Sequence, residues 1–152
     1  MSGMFPHTVT VYNFAEDEET SEGVFNVTVL KGVFLDVSAG AGADKSGMKS
    51  EGTARLFIPF SVKAEDAFTG AAKTYAKPKE YKRLEDKRGY WTLSPNGESS
   101  AADCWFIKGE VTEPDGYGKL RDRFDDVYRV AAVAARDFGA PELQHWEVSG
   151  VS

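Results

Sequence analysis

VFNVTVLKGVFLDV, residues Val24–Val37, is the stretch on which the fold turns. β-Branched and aromatic residues dominate it, and such side chains fit a pleated surface better than a helix, where they lose rotamer freedom against the preceding turn. One glycine, Gly32, interrupts the run, and a glycine inside a strand marks a bend or a bulge. Upstream, His7–Phe14 (HTVTVYNF) alternates with period two, Val9 and Val11 on one side and Thr8, Thr10 and Tyr12 on the other, which reads as a second strand. Between them Glu16–Glu22 (EDEETSE) reads as a solvated, charged tip. The expectation is a β-hairpin whose return arm bends or bulges at Gly32.

Working forward, Ala54–Phe60 (ARLFIPF) is a further strand, with Pro59 placing its end on or near a sheet edge. The connection Ser38–Thr53 (SAGAGADKSGMKSEGT) is unusual, with four glycines and Met48 as its only large apolar side chain. It has no core of its own, and loops beyond roughly 12–15 residues are uncommon inside compact domains. Two readings stand side by side: a flexible surface loop, or a segment that orders against a partner.

Ser61–Arg88 is the least periodic and most basic part, with Lys63, Lys73, Lys77, Lys79, Lys82, Arg83, Lys87 and Arg88 interleaved with Tyr75 and Tyr81. Glu65, Asp66, Glu80, Glu85 and Asp86 dilute that charge, so a solvated mixed-charge connector is expected, with a short helix after Pro78. Tyr90–Leu93 and Cys104–Val111 read as strands carrying aromatic core, separated by the turn residues Pro95, Asn96 and Gly97. Tyr117–Phe124 reads as a helical turn. Val127–Asp137 (VYRVAAVAARD) stays open, because its alanines favour helix while Tyr128, Val130 and Val133 are compatible with strand. His145–Val151 alternates as a final strand. The fold class is therefore mostly β, a small barrel or sandwich with a long flexible inter-strand loop and one or two short helices, in a single domain over residues 1–152.

Composition narrows function. Eighteen Lys and Arg against 24 Asp and Glu leave a net charge of −6, which disfavours a protein that grips duplex DNA through its phosphates. No apolar run nears the roughly 20 residues of a membrane span, and the first residues lack the basic start and apolar stretch of a signal peptide, so synthesis in a cytoplasm is expected. Cys104 stands alone among Trp105, Phe106 and Ile107, the setting of an inert buried thiol. His7 and His145 lie at opposite ends of the chain, and no metal or cofactor site is expected. Asp122, Asp125 and Asp126 beside Arg121, Arg123 and Arg129 read as a salt-bridged turn. A hydrolase would need Cys104, His145 and an aspartate brought together in space. The Gly40–Gly52 glycines match no phosphate-binding loop.

Three stretches together carry a resemblance: MFPHTVTVYN at the start, Lys82–Leu93 (KRLEDKRGYWTL), and Arg136–Gly139 followed by His145–Gly150 (HWEVSG). The chain resembles the small proteins of the head-to-tail connector of siphophages and prophages, and within them the stopper, or head-completion, type. That resemblance implies a bacteriophage virion structural protein, made in the bacterial host cytoplasm and acting in the neck as a homo-oligomeric ring. Its neighbours would be the adaptor and portal side of the head and the tail terminator or tail tube, with transient contact to packaged DNA, no membrane and no enzymatic activity. The long loop would then project into the channel, making Ser38, Gly40, Gly42, Asp44, Lys45, Gly47, Met48, Lys49 and Gly52 the channel-loop residues. The resemblance also favours a strand at Val127–Asp137. Two rivals are a tail terminator or other tail-associated ring, which a helix at 127–137 would favour, and a small hydrolase.

Overall fold

Strand β2 (Gly23–Ser38) organises the molecule, and it does bend at Gly32. Its partner β1 (His7–Glu16) pairs antiparallel from Glu16↔Gly23 to Thr8↔Lys31 and then skips to His7↔Val33, leaving Gly32 unopposed with φ +87°. A left-handed φ costs glycine little, so the extra residue bulges the strand without straining it. The backbone N–H of Leu35, just past the bulge, donates to Nδ1 of His7 (3.0 Å). Thr28–Lys31 then pairs on the far edge with β4 (Lys63–Asp66), and Phe34–Ser38 with β3 (Thr53–Pro59). The computed structural model describes residues 5–16, 23–38, 52–95, 104–113 and 117–152.

β3 pairs on its other side with β9 (His145–Val151), β9 with β8 (Val127–Arg136), β8 with β7 (Cys104–Lys108), and β7 with β1. Since β1 also pairs with β2, six antiparallel strands close into a barrel in the order β1-β7-β8-β9-β3-β2, with β4 as an added strand on β2. The ambiguous alanine-rich segment is thus a strand. Val127, Tyr128 and Val130 are buried between two neighbouring strands, and that burial outweighs the helix preference of a few exposed alanines.

Alternation along the strands builds the interior. Leu56 and Ile58 of β3, Val9 and Val11 of β1, and Val148 of β9 belong to one buried cluster, whereas Arg55 points outward. β7 is buried on both faces: Cys104 and Phe106 face the barrel, while Trp105 and Ile107 lie in a second cluster beneath α2 (Tyr117–Arg123), whose Leu120 is fully buried. Gly150 of β9 lies so close to Phe106 that a Cβ there would meet its Cζ at 2.7 Å and the Cβ of Tyr128 at 2.8 Å. One end of the barrel is filled by aromatic rings: Trp146 lies 4.3 Å from Tyr75 and 4.5 Å from Phe60 between centroids, and Tyr75 lies 5.0 Å from Trp91.

The segment expected to be a solvated connector is more structured than its sequence indicated. Besides the short helix expected after Pro78, α1 (Pro78–Arg83), it contains β4 and β5 (Thr74–Tyr75), which pairs in parallel with β6 (Tyr90–Trp91) in the next stretch, itself expected as a strand. Ladders formed with distant strands, not local periodicity, hold these short pieces. Thr92 and Leu93 are buried beyond the end of β6, Thr92 through a two-way backbone pairing with the Asn13 side chain (2.9 and 3.1 Å).

Candidate functional site

Three places concentrate polar or exposed groups. The first is the barrel rim at which the β2–β3 connection leaves and returns. Ser38 is paired with Thr53, and Thr53 with Val151, so the connection starts and ends at one hydrogen-bonded position of the wall. Its foot is pinned: Ser152 N–H donates to the Gly52 carbonyl (3.0 Å), and Gly52 N–H donates to Ser152 Oγ (2.7 Å). Beside it lies a cleft of about 330 Å³ lined by Gly52, Ser152, Phe124, Tyr128 and the charged Arg121, Asp122 and Asp125. Of the channel-loop residues expected from the sequence, Ser38 ends β2 and Gly52 forms this foot. Gly40, Gly42, Asp44, Lys45, Gly47, Met48 and Lys49 lie outside the described residues.

The anticipated salt-bridged turn is arranged differently. Arg123 pairs with Glu113 across from α2, and Asp126 accepts the Tyr128 hydroxyl (3.0 Å). Burial, reinforced by that nearby carboxylate, pushes the Tyr128 phenol well above its ordinary range.

The second place is a buried polar network that sequence reasoning missed. Lys73 was expected on a solvated face, yet its side chain is 0% exposed. Its ammonium donates to Asn26 Oδ1 (2.7 Å), Thr28 Oγ1 (2.9 Å) and the Val27 carbonyl (3.1 Å), with Asp66 at 3.3 Å. Burial lowers the Lys73 pKa, opposed by Asp66. Asp66 is itself held below the usual carboxylate range, because the N–H groups of Thr69 and Phe68 and the Lys73 ammonium outweigh its desolvation. Asn26 completes the network by donating to the carbonyls of Tyr90 (2.6 Å) and Lys87 (2.8 Å) and to the Tyr81 hydroxyl (3.2 Å). Burial drives the Tyr81 phenol up to about 12. One signal was present: Asn26 and Thr28 are polar residues within a strand otherwise rich in apolar ones, and buried polar groups require partners. The arrangement fastens β4, α1 and β6 to β2.

The third place is an outer strip of rings. His7, Phe34, Phe57 and His145 follow one another across β1, β2, β3 and β9 with centroid separations of 5.6, 5.9 and 5.9 Å. Phe34 is 37% exposed, and Arg136 Nε donates to Glu147 Oε2 (3.0 Å) at the margin of the strip.

A nucleophile–base pair does not form from Cys104 and His145. Cys104 is buried in the barrel interior, receiving a contact from Asn13 Nδ2 (3.4 Å), while His145 lies on the outer surface with Nδ1 against the Leu143 carbonyl (2.8 Å) and Nε2 at 3.4 Å from Glu147. Among the described residues no three His, Cys, Asp or Glu side chains gather as a metal set. No helix among them is long and apolar enough to cross a membrane.

No curated protein matches the chain, and no solved structure does. One family, described as "Family of unknown function (DUF6751)", matches residues 4–151, nearly the whole length. The closed barrel with its pinned rim is thus the fold of a member of that family, to which this chain belongs.

Proposed function

We propose that the chain is a structural component of a tailed-bacteriophage head-tail connector, acting as the stopper ring that closes the DNA channel and joins head to tail. The observation that carries this reading is the rim geometry: a closed six-stranded barrel from which one long connection departs at Ser38 and returns at Gly52, its foot tied to Ser152. A rigid barrel bearing a long segment at one end suits a ring whose subunits pack through their walls and present those segments to a shared lumen. Net charge of −6 favours a conduit along which DNA slides over one that grips it. The exposed Phe34–Phe57 strip offers apolar area for contact between neighbouring copies. The strand at Val127–Arg136 does not lend the tail-terminator alternative the support a helix there would have given, and Cys104 and His145 do not form the pair expected of a small hydrolase.

The test is made in particles. Residues Gly40–Glu51 are deleted and the ends rejoined by a short turn, keeping Gly52 on its Ser152 partner. Stability is expected to change little, because loop-closure entropy varies slowly with length. Particles carrying the shortened chain are expected to assemble the ring and lose their DNA. Normal DNA retention and infectivity would remove the loop from closure, and absence of the chain from purified necks would refute the connector reading itself.

A further inference from the structure

Most buried polar groups in this protein are satisfied. Asn13, Asn26 and Lys73 all find partners, and Thr10 Oγ1 donates to the Gly109 carbonyl (2.7 Å) while accepting the Val111 N–H (2.9 Å). Against that background, Trp105 Nε1, Tyr117 Oη and Arg129 Nε are buried atoms without a hydrogen-bond partner. They belong to one neighbourhood. Trp105 and Arg129 are directly opposed across β7 and β8, and both point outward, since Phe106 and Tyr128 beside them face the barrel. Tyr117 packs edge-on against Trp105 (centroids 5.7 Å apart), and the Arg129 guanidinium carbon lies 5.8 Å from the Tyr117 ring centre. Thr92 Oγ1 sits elsewhere, beside Asn13 and the Tyr75 hydroxyl, and is not part of this cluster.

What the three share is donor character. An indole N–H and a guanidinium N–H can only donate, and a tyrosine hydroxyl donates readily. Reorientation does not relieve the Trp105 indole, because its ring is stacked on Tyr12 (5.1 Å) and met edge-on by Phe25 (4.7 Å). A buried donor without an acceptor costs roughly 1–3 kcal/mol, so a cluster of them calls for an acceptor. Arg129 adds a positive charge with no carboxylate partner among the described residues, and Tyr117 and Arg129 are partly exposed as residues although these donor atoms are buried, so the cluster lies just beneath the surface and a ligand enters by displacing one of those two side chains. A water satisfies the hydrogen bonds and leaves the charge, whereas a carboxylate answers both.

We propose that Trp105, Tyr117 and Arg129 form a binding site for a carboxylate on the outer wall between α2 and β8. The proposal stands independently of the connector reading, since it concerns neither the rim nor the β2–β3 connection. The carboxylate comes from an acidic side chain of a partner protein or from a small free acid, and the experiment separates these sources.

The indole N–H resonances of the isotope-labelled full chain are followed by NMR during titration with sodium acetate, with the blocked tripeptide Gly-Asp-Gly, and with sodium phosphate, each against sodium chloride at equal ionic strength. Trp91→Phe and Trp146→Phe identify the Trp105 signal by elimination. A saturable shift of that signal with acetate or the peptide, absent with chloride, is expected. Arg129→Met should weaken it by about tenfold or more, the equivalent of losing one charge-assisted hydrogen bond. Tyr117→Phe, which removes only the hydroxyl, serves as the milder variant should Arg129→Met fold poorly. Tighter binding of the peptide assigns the site to a protein side chain, and equal binding assigns it to a free acid. Preference for phosphate overturns the carboxylate assignment, and a signal unmoved by all three probes, or moved in both variants as strongly as in the wild-type chain, overturns the site.

Discussion

Replacing Gly150 by Ala inserts one methyl group where the barrel has no room for it. The new Cβ would stand 2.7 Å from Cζ and 2.9 Å from Cε1 of Phe106, and 2.8 Å from Cβ of Tyr128, all well inside the 3.4 Å at which ordinary contact begins. Neither neighbour yields easily. Phe106 is fully buried in the interior cluster, and the Tyr128 contact is made by an atom fixed to the β8 backbone. Overpacking a tight core by such an increment costs about 1–3 kcal/mol, and two anchored neighbours put this case at the upper end. For a chain of this size 1 kcal/mol corresponds to roughly 2–4 °C, so the melting temperature should fall by about 6–12 °C. Urea unfolding followed by tryptophan fluorescence supplies the free energy directly. Phe106→Leu removes the ring atoms in conflict, and in that background Gly150→Ala should cost about 1 kcal/mol less than in the wild type. A single-variant cost below about 0.5 kcal/mol, or strict additivity of the pair, would refute the packing argument.

Trp105→Ala empties a fully buried site between Tyr12, Phe25 and Tyr117, and denaturant melts should register a loss of about 3–5 kcal/mol. Lys73→Met strands Asn26 Oδ1, Thr28 Oγ1 and Asp66 in the buried network and should cost about 3 kcal/mol, with the Lys73→Met/Asp66→Asn pair costing less than the two single changes summed. Acid should destabilise the protein through Asp66: its folded pKa lies below the ordinary 3.8, so its contribution is full above that value and disappears as pH falls through the folded pKa. A stability profile in which Asp66→Asn shows the same acid limb as the wild type would contradict that assignment.

Local chemistry made much of this fold legible in the sequence. A period-two pattern flanked by turn residues depends only on near neighbours, and His7–Phe14, Ala54–Phe60 and His145–Val151 lie within or almost within the observed strands β1, β3 and β9. Gly32 was readable for the same reason, since the backbone freedom that permits a bulge belongs to the residue itself. Cys104 was recognisable as a buried core thiol from its aromatic neighbours.

Tertiary structure decided what depends on the far side of a contact. Alanine favours helix, but the burial of Val127, Tyr128 and Val130 between neighbouring strands outweighs that preference, so Val127–Arg136 took its form from pairing with β7 and β9. Burial of Lys73 follows from the crossing of its segment over β2, where Asn26 and Thr28 await a donor, and nothing in its own mixed-charge surroundings signals that encounter. The same holds for Gly150, whose need to be glycine is set by a ring on β7, and for Trp105, whose outward direction acquires meaning only when α2 covers it beside Arg129. Propensity acts along the chain over a few residues, while burial, charge pairing and steric exclusion act through space, and the groups that distinguish this barrel are the ones that meet only when it closes.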